Sequence, residues 1–366
     1  MLCRSACLRD LTLHSDMVQK WEDHSHDSKI TGMRILVTGG LGFLGHHVVE
    51  SLLKTRDADV VVLDKMTYAS SGFDRLRDIS VYDDKRVHVL GCDLSQPMPE
   101  GVAREVGEVD YIIHAAAETH VDNSIVDPLP FLMSNVVGTH HLLWWMRSLK
   151  TLRRAFLVST DETYGPASLD DKENAFDEQA PFKPANPYAA AKAGGECVAM
   201  AYANTYKLPI TVAATMNLIG ERQHFEKYVP MVIRRALLGE KIFIHSNAER
   251  TKSGTRYYLH CRTYAHALGF LIDRDQRGEE MPPKVNICGE REVANLSLAQ
   301  LIADYVGKPL EYELVDFHSS RPGHDLAYRM RDDLIRSLGW QRPMNLEQSL
   351  EKTVRWFLAN PKWLGL

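Results

Sequence analysis

Two groups of side chains in this sequence have types and spacings that suit acid–base chemistry. Tyr188 and Lys192 are four residues apart, so on a helix they share one face, where the lysine ammonium favours ionisation of the phenol. A phenolate so placed can take a proton from a sugar or alcohol hydroxyl. The second group is Thr160-Asp161-Glu162. Its adjacent carboxylates offer an acid and a base if their surroundings separate the two pKa values, although they could instead cap the next turn.

A third group predicts a dinucleotide site. The run Gly39-Gly40-Leu41-Gly42-Phe43-Leu44-Gly45 joins an apolar stretch to a helical one, and glycines at such a turn let the backbone approach a pyrophosphate. Asp64 closes the next apolar run, where its carboxylate can accept hydrogen bonds from a ribose diol and repel a 2′-phosphate. NAD is therefore favoured over NADP despite Lys65. Asp93, after the third strand, either reaches the adenine or forms a turn.

These residues require a scaffold of alternating strands and helices. Short apolar runs predict buried parallel strands at 34–38, 60–64, 87–90, 111–114, 155–159 and 210–215, with the longest helices at about 128–149 and 187–206. Asn186 and Pro187 predict the start of the second helix, and Asn345 with Gln348 predicts a capped helix ending near Asn360. The fold class is α/β, a doubly wound parallel Rossmann sheet with a smaller C-terminal α/β substrate-binding lobe.

The predicted domains are a tail at 1–32, expected to be disordered, an NAD-binding domain at 33–215 and a substrate lobe at 216–366. A strand at 284–288 belongs to that lobe or returns to the sheet edge. Met33 is an alternative start, since the first strand begins there.

Composition narrows the function classes. The 366 residues carry a net charge of -5 with no basic block, which argues against nucleic acid or an anionic membrane as the main partner. No apolar stretch is long enough to span a bilayer, and six scattered cysteines show no metal or disulfide spacing. We expect a cytoplasmic protein with a small-molecule site and no metal.

The chain from Met33 onward resembles an extended short-chain dehydrogenase/reductase, and within that group the nucleotide-sugar 4,6-dehydratases of the dTDP-glucose 4,6-dehydratase type. The motifs that carry the resemblance are Thr38 to Gly45, Asp64-Lys65-Met66-Thr67-Tyr68-Ala69, His114-Ala115-Ala116-Ala117-Glu118-Thr119-His120-Val121-Asp122, Ser159 to Gly165, Tyr188 with Lys192, and Arg321-Pro322-Gly323-His324-Asp325. Each is short, but their order and spacing together are specific.

The resemblance implies a lyase reaction. Tyr188, assisted by Lys192 and Thr160, would deprotonate the sugar C4 hydroxyl while a hydride leaves C4 for NAD. Glu162 would then remove the C5 proton while Asp161 protonates the departing C6 hydroxyl, and the hydride would return to C6. The product would be a 4-keto-6-deoxy nucleotide sugar, with NAD regenerated in each cycle.

The resemblance also implies binding residues and a homodimer. Cofactor contacts would be Gly39, Gly42, Phe43, Leu44, Gly45, Asp64, Lys65, Thr67, Asp93, Leu94, Ala115, Ala116, Ala117, Ser134, Tyr188 and Lys192. Substrate contacts would be Thr119, Asn217, Glu226, Lys227, Arg256, Asn295, Arg321 and His324. Arginine suits the diphosphate because a guanidinium matches phosphate oxygens. The family pairs through two long helices, and the apolar run 142–146 fits such a surface or the chain's own core.

The substrate lobe departs from the family pattern. Asn217-Leu218-Ile219-Gly220-Glu221 stands where the family has Asn-Asn-Tyr-Gly-Pro, and Tyr257 and Tyr258 follow Arg256 in place of Asp-Trp. The loop at 246–255 is also longer. The substrate therefore stays open between dTDP-glucose, UDP-glucose and an N-acetylhexosamine nucleotide.

Other readings of the sequence remain. A 4-epimerase or a UDP-glucuronate decarboxylase would share the fold, but Asp161 argues against both. An epimerase needs no second acid–base pair to expel water, and the decarboxylases that the chain resembles usually carry Ser before the Glu. A non-catalytic NAD-binding sensor or scaffold would be expected to lose Thr160, Tyr188 or Lys192, and all three are present.

Overall fold

A computed structural model describes residues 32–67, 70–169, 175–316 and 326–366. Residues 33–366 belong to one compact unit. The described strands are β1 (Met33–Thr38), β2 (Ala58–Asp64), β3 (Val87–Gly91), β4 (Tyr111–His114), β5 (Arg154–Thr160), β6 (Ile210–Thr215), β7 (Leu218–Ile219), β8 (Ile242–Ser246), β9 (Thr255–Tyr257), β10 (Leu259–His260), β11 (Lys284–Ile287), β12 (Glu292–Ala294) and β13 (Tyr312–Asp316).

The helices among these residues connect the strands or cover them. They are α1 (Phe43–Thr55), α2 (Asp74–Asp78), α3 (Glu100–Val106), α4 (Val121–Val126), α5 (Leu129–Leu132), α6 (Gly138–Met146), α7 (Pro187–Tyr206), α8 (Tyr228–Leu238), α9 (Cys261–Gln276), α10 (Asn295–Val306), α11 (Asp333–Ser337) and α12 (Leu346–Ala359). A π-helical turn at Met133–Val137 joins α5 to α6, and 3₁₀ turns lie at Asp161–Tyr164 and Pro361–Leu364.

Seven parallel strands form the central sheet in the order β11-β6-β5-β4-β1-β2-β3. One apolar layer packs α1 and α9 against one face, and a second packs α3, α6 and α7 against the other. Strands buried on both faces explain the continuous apolar runs in the sequence. The strand order changes direction at β1, and ligands bind at the carboxyl ends of the strands beside such a point. The predicted doubly wound fold is confirmed.

The residues after β6 build a second apolar core around α8, α10 and α12. The helix α12 begins with the predicted capping box, in which Asn345 accepts the Gln348 backbone N–H and the Gln348 side chain accepts the Asn345 N–H. The strand β11 pairs with β6, so part of this C-terminal segment returns to the central sheet. The domain boundary at 215/216 stays a prediction.

A buried charge cluster connects the two cores; we call it the Glu221 cluster. The Glu221 carboxylate is 3% exposed and lies 3.1 Å from Nε of Arg262 and 3.3 Å from Nε2 of His260. On α1, His47 Nε2 lies 3.1 Å from the Glu221 carbonyl oxygen, and Glu50 pairs with Arg262 at 2.7 Å. Burial acts to raise the pKa of Glu221, but His260, His47 and Arg262 together hold it well below its ordinary value.

Candidate active site

A cavity of about 420 Å³ opens at the carboxyl ends of β1, β4 and β5. Every residue that the sequence assigned to cofactor binding or catalysis lies in its lining: Gly39, Gly42, Phe43, Leu44, Gly45, Asp64, Lys65, Thr67, Asp93, Leu94, Ala115, Ala116, Ala117, Ser134, Thr160, Asp161, Glu162, Tyr188 and Lys192. The fold therefore brings the predicted dinucleotide contacts and the predicted acid–base groups into one space.

The glycine loop after β1 is packed too tightly for side chains. Gly39 has φ +70°, and a Cβ there would lie 2.7 Å from the Ala116 backbone nitrogen. At Gly45, in the first turn of α1, a Cβ would lie 2.0 Å from the Gly39 carbonyl oxygen. Gly42 is the N-cap of α1, so its neighbours present backbone N–H groups to the cavity at the positive end of the helix dipole. This cradle fits a pyrophosphate.

The Asp64 carboxylate is fixed at the end of β2 by two backbone donors. The N–H of Met66 donates to one oxygen at 2.8 Å, and that of Leu41 donates to the other at 3.1 Å. Burial raises the pKa of Asp64, and these two hydrogen bonds act in the opposite direction. Each carboxylate oxygen has a further lone pair that can accept a ribose hydroxyl.

Lys65 is ion-paired with Glu118 at 2.9 Å, across the end of β1. Its charge is therefore engaged within the protein and does not favour a 2′-phosphate. With the glycine cradle and Asp64, this arrangement fits NAD.

A chain of buried hydrogen bonds supports the loop after β4. The hydroxyl of Thr38 lies 2.7 Å from Nδ1 of His114, and Nε2 of that ring lies 3.1 Å from the Thr139 hydroxyl. Burial lowers the pKa of His114 to about 3, so the ring is neutral at physiological pH. Asn135, in the π-helical turn, binds both backbone groups of Glu118, at 2.9 and 3.0 Å. These bonds fix the loop that carries Ala115 to Glu118.

The helix α7 positions Tyr188 and Lys192 beside the end of β5. Asn186 caps the helix by accepting the Ala189 N–H at 2.8 Å, as predicted. Burial and the charge of Glu162 raise the pKa of Tyr188, while a hydrogen bond with Thr160 lowers it. Lys192, expected to lower that pKa, instead donates to the Val158 carbonyl oxygen at 2.7 Å. In this arrangement Thr160 is the group that favours the phenolate.

The two adjacent carboxylates have different surroundings. Asp161 is 4% exposed, and burial together with the charge of Glu162 raises its pKa to about 7. Glu162 is half-buried and accepts a hydrogen bond of 3.0 Å from the Asn186 side chain. A buried carboxyl group of pKa about 7 holds a proton that it can donate, and a hydrogen-bonded carboxylate can accept one. The pair therefore supplies an acid and a base.

The predicted substrate residues divide into three groups. Thr119, Asn217 and Lys227 line the cavity. Glu226, Arg256 and Asn295 are not among the lining residues. Arg321 and His324 lie outside the described residues, as do Tyr68 and Ala69 of the Asp64 motif.

Two members of the second group, Arg256 and Asn295, are bound within the protein. Nη1 of Arg256 donates to the Thr255 and Leu326 carbonyl oxygens at 2.8 and 2.7 Å, and its charge still acts on Asp161. Asn295 accepts the hydroxyl of Tyr258 at 3.0 Å. These residues support the wall of the cavity.

Comparisons with known proteins identify the family. The model of the family described as GDP-mannose 4,6 dehydratase matches residues 36–353. The chain belongs to this family. A dTDP-glucose 4,6-dehydratase of Escherichia coli is 33% identical over 352 residues, which cover 91% of this chain and 94% of the relative.

Another relative, from Arabidopsis thaliana, is a trifunctional protein whose first-named activity is UDP-glucose 4,6-dehydratase. It is 33% identical over 341 residues, which cover 93% of this chain and 49% of that protein. The solved structure of a Streptomyces venezuelae dTDP-glucose 4,6-dehydratase with NAD bound aligns with a TM-score of 0.79 at 32% identity, covering 90% of this chain and 98% of that one.

At the level of the family, the expectation of an NAD-dependent nucleotide-sugar 4,6-dehydratase of the extended short-chain dehydrogenase/reductase type is confirmed. Sequence reasoning missed several residues of the dehydratase cavity, including Arg75, Gln223 and Tyr228. The Arg75 guanidinium is 1% exposed and donates to the Leu41, Ser70 and Arg222 carbonyl oxygens. Its neighbours in sequence form a short polar helix, so only the three-dimensional contacts reveal this role.

Proposed function

We propose that the chain removes water from a nucleoside-diphosphate hexose of the dTDP-glucose or UDP-glucose type and releases the 4-keto-6-deoxy sugar nucleotide. The observation that carries the proposal is the Asp161–Glu162 pair, an acid and a base side by side in the cavity that also holds the glycine cradle. Dehydration needs both groups, whereas epimerisation at C4 needs neither. Membership of the dehydratase family supports the same reaction.

The cofactor would be held by the chain's own backbone and by one carboxylate. The amides around Gly42 would bind the pyrophosphate, and Asp64 would accept the ribose hydroxyls. NAD, when bound, supplies a hydride acceptor for C4 of the sugar and returns that hydride to C6.

The first step is assigned to Tyr188, Thr160 and Lys192. As a hydride leaves C4, the phenolate oxygen of Tyr188 accepts the proton of the C4 hydroxyl, and the C4–O bond becomes a carbonyl. The Thr160 hydroxyl stabilises the phenolate, because its hydrogen bond lowers the pKa of Tyr188. Lys192, one helical turn beyond Tyr188, would add a positive charge that favours the phenolate, and the Val158 carbonyl fixes its position.

The second step is assigned to Glu162 and Asp161. The C4 ketone acidifies the C5–H bond, and the Glu162 carboxylate takes that proton. Asp161 donates its own proton to the C6 hydroxyl, which departs as water and leaves a C5–C6 double bond. When the hydride reaches C6, Glu162 returns its proton to C5. The high pKa of Asp161 suits this donation, since a carboxyl of ordinary pKa would be ionised at neutral pH.

Substrate contacts are proposed for the lining residues Thr119, Asn217 and Lys227. Supporting or more distant roles are proposed for Glu226, Arg256 and Asn295, and direct contacts also for Arg321 and His324. The departures at Leu218, Ile219 and Tyr258 lie in the cavity wall, so the nucleotide and the sugar are left open.

We also propose a homodimer formed through α6 and α7, in a cytoplasmic setting. Within the predicted apolar run, Leu142, Leu143 and Met146 are buried in the chain's own core, which leaves Trp144 as its exposed member at 55%. On α7, Met200 and Tyr206 are exposed by 51% and 42%. The described cysteines all carry free thiols, which suits a reducing compartment. No helix in the described ranges is long and apolar enough to cross a membrane.

The test of the function is incubation of the purified protein with dTDP-glucose and, separately, with UDP-glucose. Mass spectrometry should show the loss of one water from at least one of them, together with the alkaline absorbance of a 4-keto-6-deoxy sugar. The donor that reacts names the nucleotide. A mass-neutral change to the 4-epimer would contradict the proposal, and so would a complete lack of reaction with both donors in protein that contains NAD.

A further inference from the structure

Behind the cavity lies a buried carboxylate that the mechanism above does not use. Glu196 is 0% exposed and lies on α7 one turn beyond Lys192. The Ser159 hydroxyl donates a short hydrogen bond to its Oε1. Nζ of Lys284, at the start of β11, lies 2.7 Å from its Oε2. That ammonium also lies 4.3 Å from the ring centre of Tyr164.

Together with two contacts described above, these contacts join one face of α7 to the end of β5. Tyr188, Lys192 and Glu196 are spaced four residues apart and therefore share one face of the helix. Each binds one of three consecutive strand residues: Tyr188 the Thr160 hydroxyl, Lys192 the Val158 carbonyl, and Glu196 the Ser159 hydroxyl. A slip of the helix along the strand would break all three contacts together.

We propose that Glu196 is a positioning residue for the proton transfer at C4: with its counter-ion Lys284 it fixes the register of α7 on β5 and sets the electrostatic field at Lys192. The inference rests on the role proposed above for Lys192 and Tyr188. Glu196 itself does not line the cavity, so it acts through the residues that do.

The charges around Lys192 determine whether a substitution raises or lowers the pKa of Lys192. Burial lowers the pKa of Lys192 to about 8, and the negative charge of Glu196 acts to raise it. The titratable and charged groups on or facing this part of α7 are His114 on β4, Tyr164, Asp161 and Glu162 after β5, Lys284 on β11 with Glu178 near it, and His140 on α6 near Tyr202. Of these, Lys284 is the cation that contacts Glu196, so it weakens the field that Glu196 exerts on Lys192.

Two single substitutions should therefore move the pH profile in opposite directions. With Glu196→Gln, Lys192 should lose its proton at lower pH. The alkaline limb of the single-turnover rate of reduced-nicotinamide formation should shift down by about half a unit to one unit. With Lys284→Gln, the Ser159 hydroxyl and the Lys192 charge still support the Glu196 carboxylate, whose field at Lys192 is no longer offset, so the limb should move up. KM for the nucleotide sugar should stay within about twofold in both, since neither residue reaches the cavity.

The matched control is Glu50→Gln, which removes another buried and ion-paired glutamate, 4% exposed and 2.7 Å from Arg262, outside the cavity lining. Its pH profile should match that of the unchanged protein. If Glu196→Gln is poorly folded, the double variant Glu196→Gln/Lys284→Gln avoids the unbalanced charge. The midpoint of its alkaline limb should fall between those of the two single variants. Lys284→Gln alone still tests whether loss of this cation moves the limb to higher pH.

If Glu196 had a purely structural role, its substitution would lower the single-turnover rate and leave the midpoint of the alkaline limb unchanged. Alternatively, the midpoints of Glu196→Gln and Lys284→Gln would move in the same direction. Either result would overturn the inference. If the unchanged protein forms no reduced nicotinamide with any nucleotide sugar, the proposed function fails first. An unchanged protein that reacts, with variants that do not shift, leaves the function standing and removes only the role of Glu196.

Discussion

Asp161 and Glu162 are neighbours in sequence, but Asp161 is almost fully buried, and burial raises its pKa to about 7. Asp161→Asn removes that proton donor while keeping the shape of the side chain. We expect oxidation at C4 to continue and elimination of water to fall by at least about a hundredfold, because general acid catalysis contributes factors of this size.

Reduced nicotinamide should then accumulate, as followed by its near-ultraviolet absorbance, without loss of water in mass spectrometry. Tyr188→Phe is the contrasting variant, since it should block the earlier step and give no absorbance change. Normal dehydration by Asp161→Asn would remove Asp161 from the mechanism.

The same carboxyl group links stability to pH. Its pKa is about 7 in the folded protein against an ordinary value of 3.8, so the folded state holds a proton that the unfolded state releases. The stabilising contribution of that proton is complete below the unfolded pKa and is lost as pH rises through about 7. We expect Asp161→Asn to gain stability over the unchanged protein by roughly 2–3 kcal/mol between about pH 5 and about pH 8.

Thermal unfolding at the two pH values measures this gain. Asp84→Asn is the control of opposite sign, because its hydrogen bonds with Arg86 hold the pKa of Asp84 below its ordinary value. That variant should be destabilised by an amount that does not change over this range. An advantage for Asp161→Asn that is the same at both pH values would contradict a raised pKa.

At the scale of elements, the glycine loop and the first turn of α1 act as one unit. A methyl group at Gly45 would lie 2.0 Å from the Gly39 carbonyl oxygen, so Gly45→Ala must push the loop away from the helix. We expect the purified variant to keep its fold and lose at least about nine-tenths of its bound NAD, measured after acid release.

Gly101→Ala is the matched control. Gly101 also lies in a helix, α3, but an added Cβ meets no atom within 4 Å. This variant should keep its NAD and gain up to about 1 kcal/mol from better helix propensity. Full retention of NAD by Gly45→Ala would show that the loop tolerates the displacement.

The strands were predictable because continuous burial on both faces leaves a simple apolar signal, and β4 and β6 have the predicted bounds. The helix expected at 128–149 was predicted less completely. It runs from Leu129 to Met146 and contains the π-helical turn at Met133–Val137. That turn places Asn135 against the backbone of Glu118, a contact between distant residues that no local pattern encodes.

The candidate site was predictable where function requires fixed spacing within one element, as with Tyr188 and Lys192 on α7. The site was less predictable where a side chain binds residues on a different element. Glu196 follows Lys192 by one turn and could have been noticed, but its partners Ser159 and Lys284 come from β5 and β11. For Arg256 the sequence predicts a substrate contact, whereas in the structure its guanidinium donates to backbone carbonyls of the cavity wall.

At the scale of the whole molecule, exposed aromatic residues on α6 and α7 are the basis of the proposed dimer. Trp144 and Tyr206 are joined by Arg147, whose guanidinium lies 4.1 and 4.2 Å from their ring centres. Trp144→Glu places a charge in this surface. We expect light scattering after size exclusion to give half the mass of the unchanged protein at micromolar concentration.

Phe243→Glu is the control. Phe243 is similarly exposed, at 50%, but it lies on β8, a strand that packs with the C-terminal core and not with α6 and α7. It should remain a dimer. An unchanged protein that elutes as a monomer, or a Trp144→Glu variant that stays a dimer, would remove this surface as the interface.

The Glu221 cluster also restricts which substitutions the chain can tolerate one at a time. A glutamate at this buried position without Arg262 and His260 would be an uncompensated charge, and such charges cost about 3–5 kcal/mol. Glu50 on α1 and Arg262 on α9 complete the same charge balance with Glu221. A substitution that changes one of these charges alone is therefore expected to cost stability, and a compensating change on another element is expected to restore it.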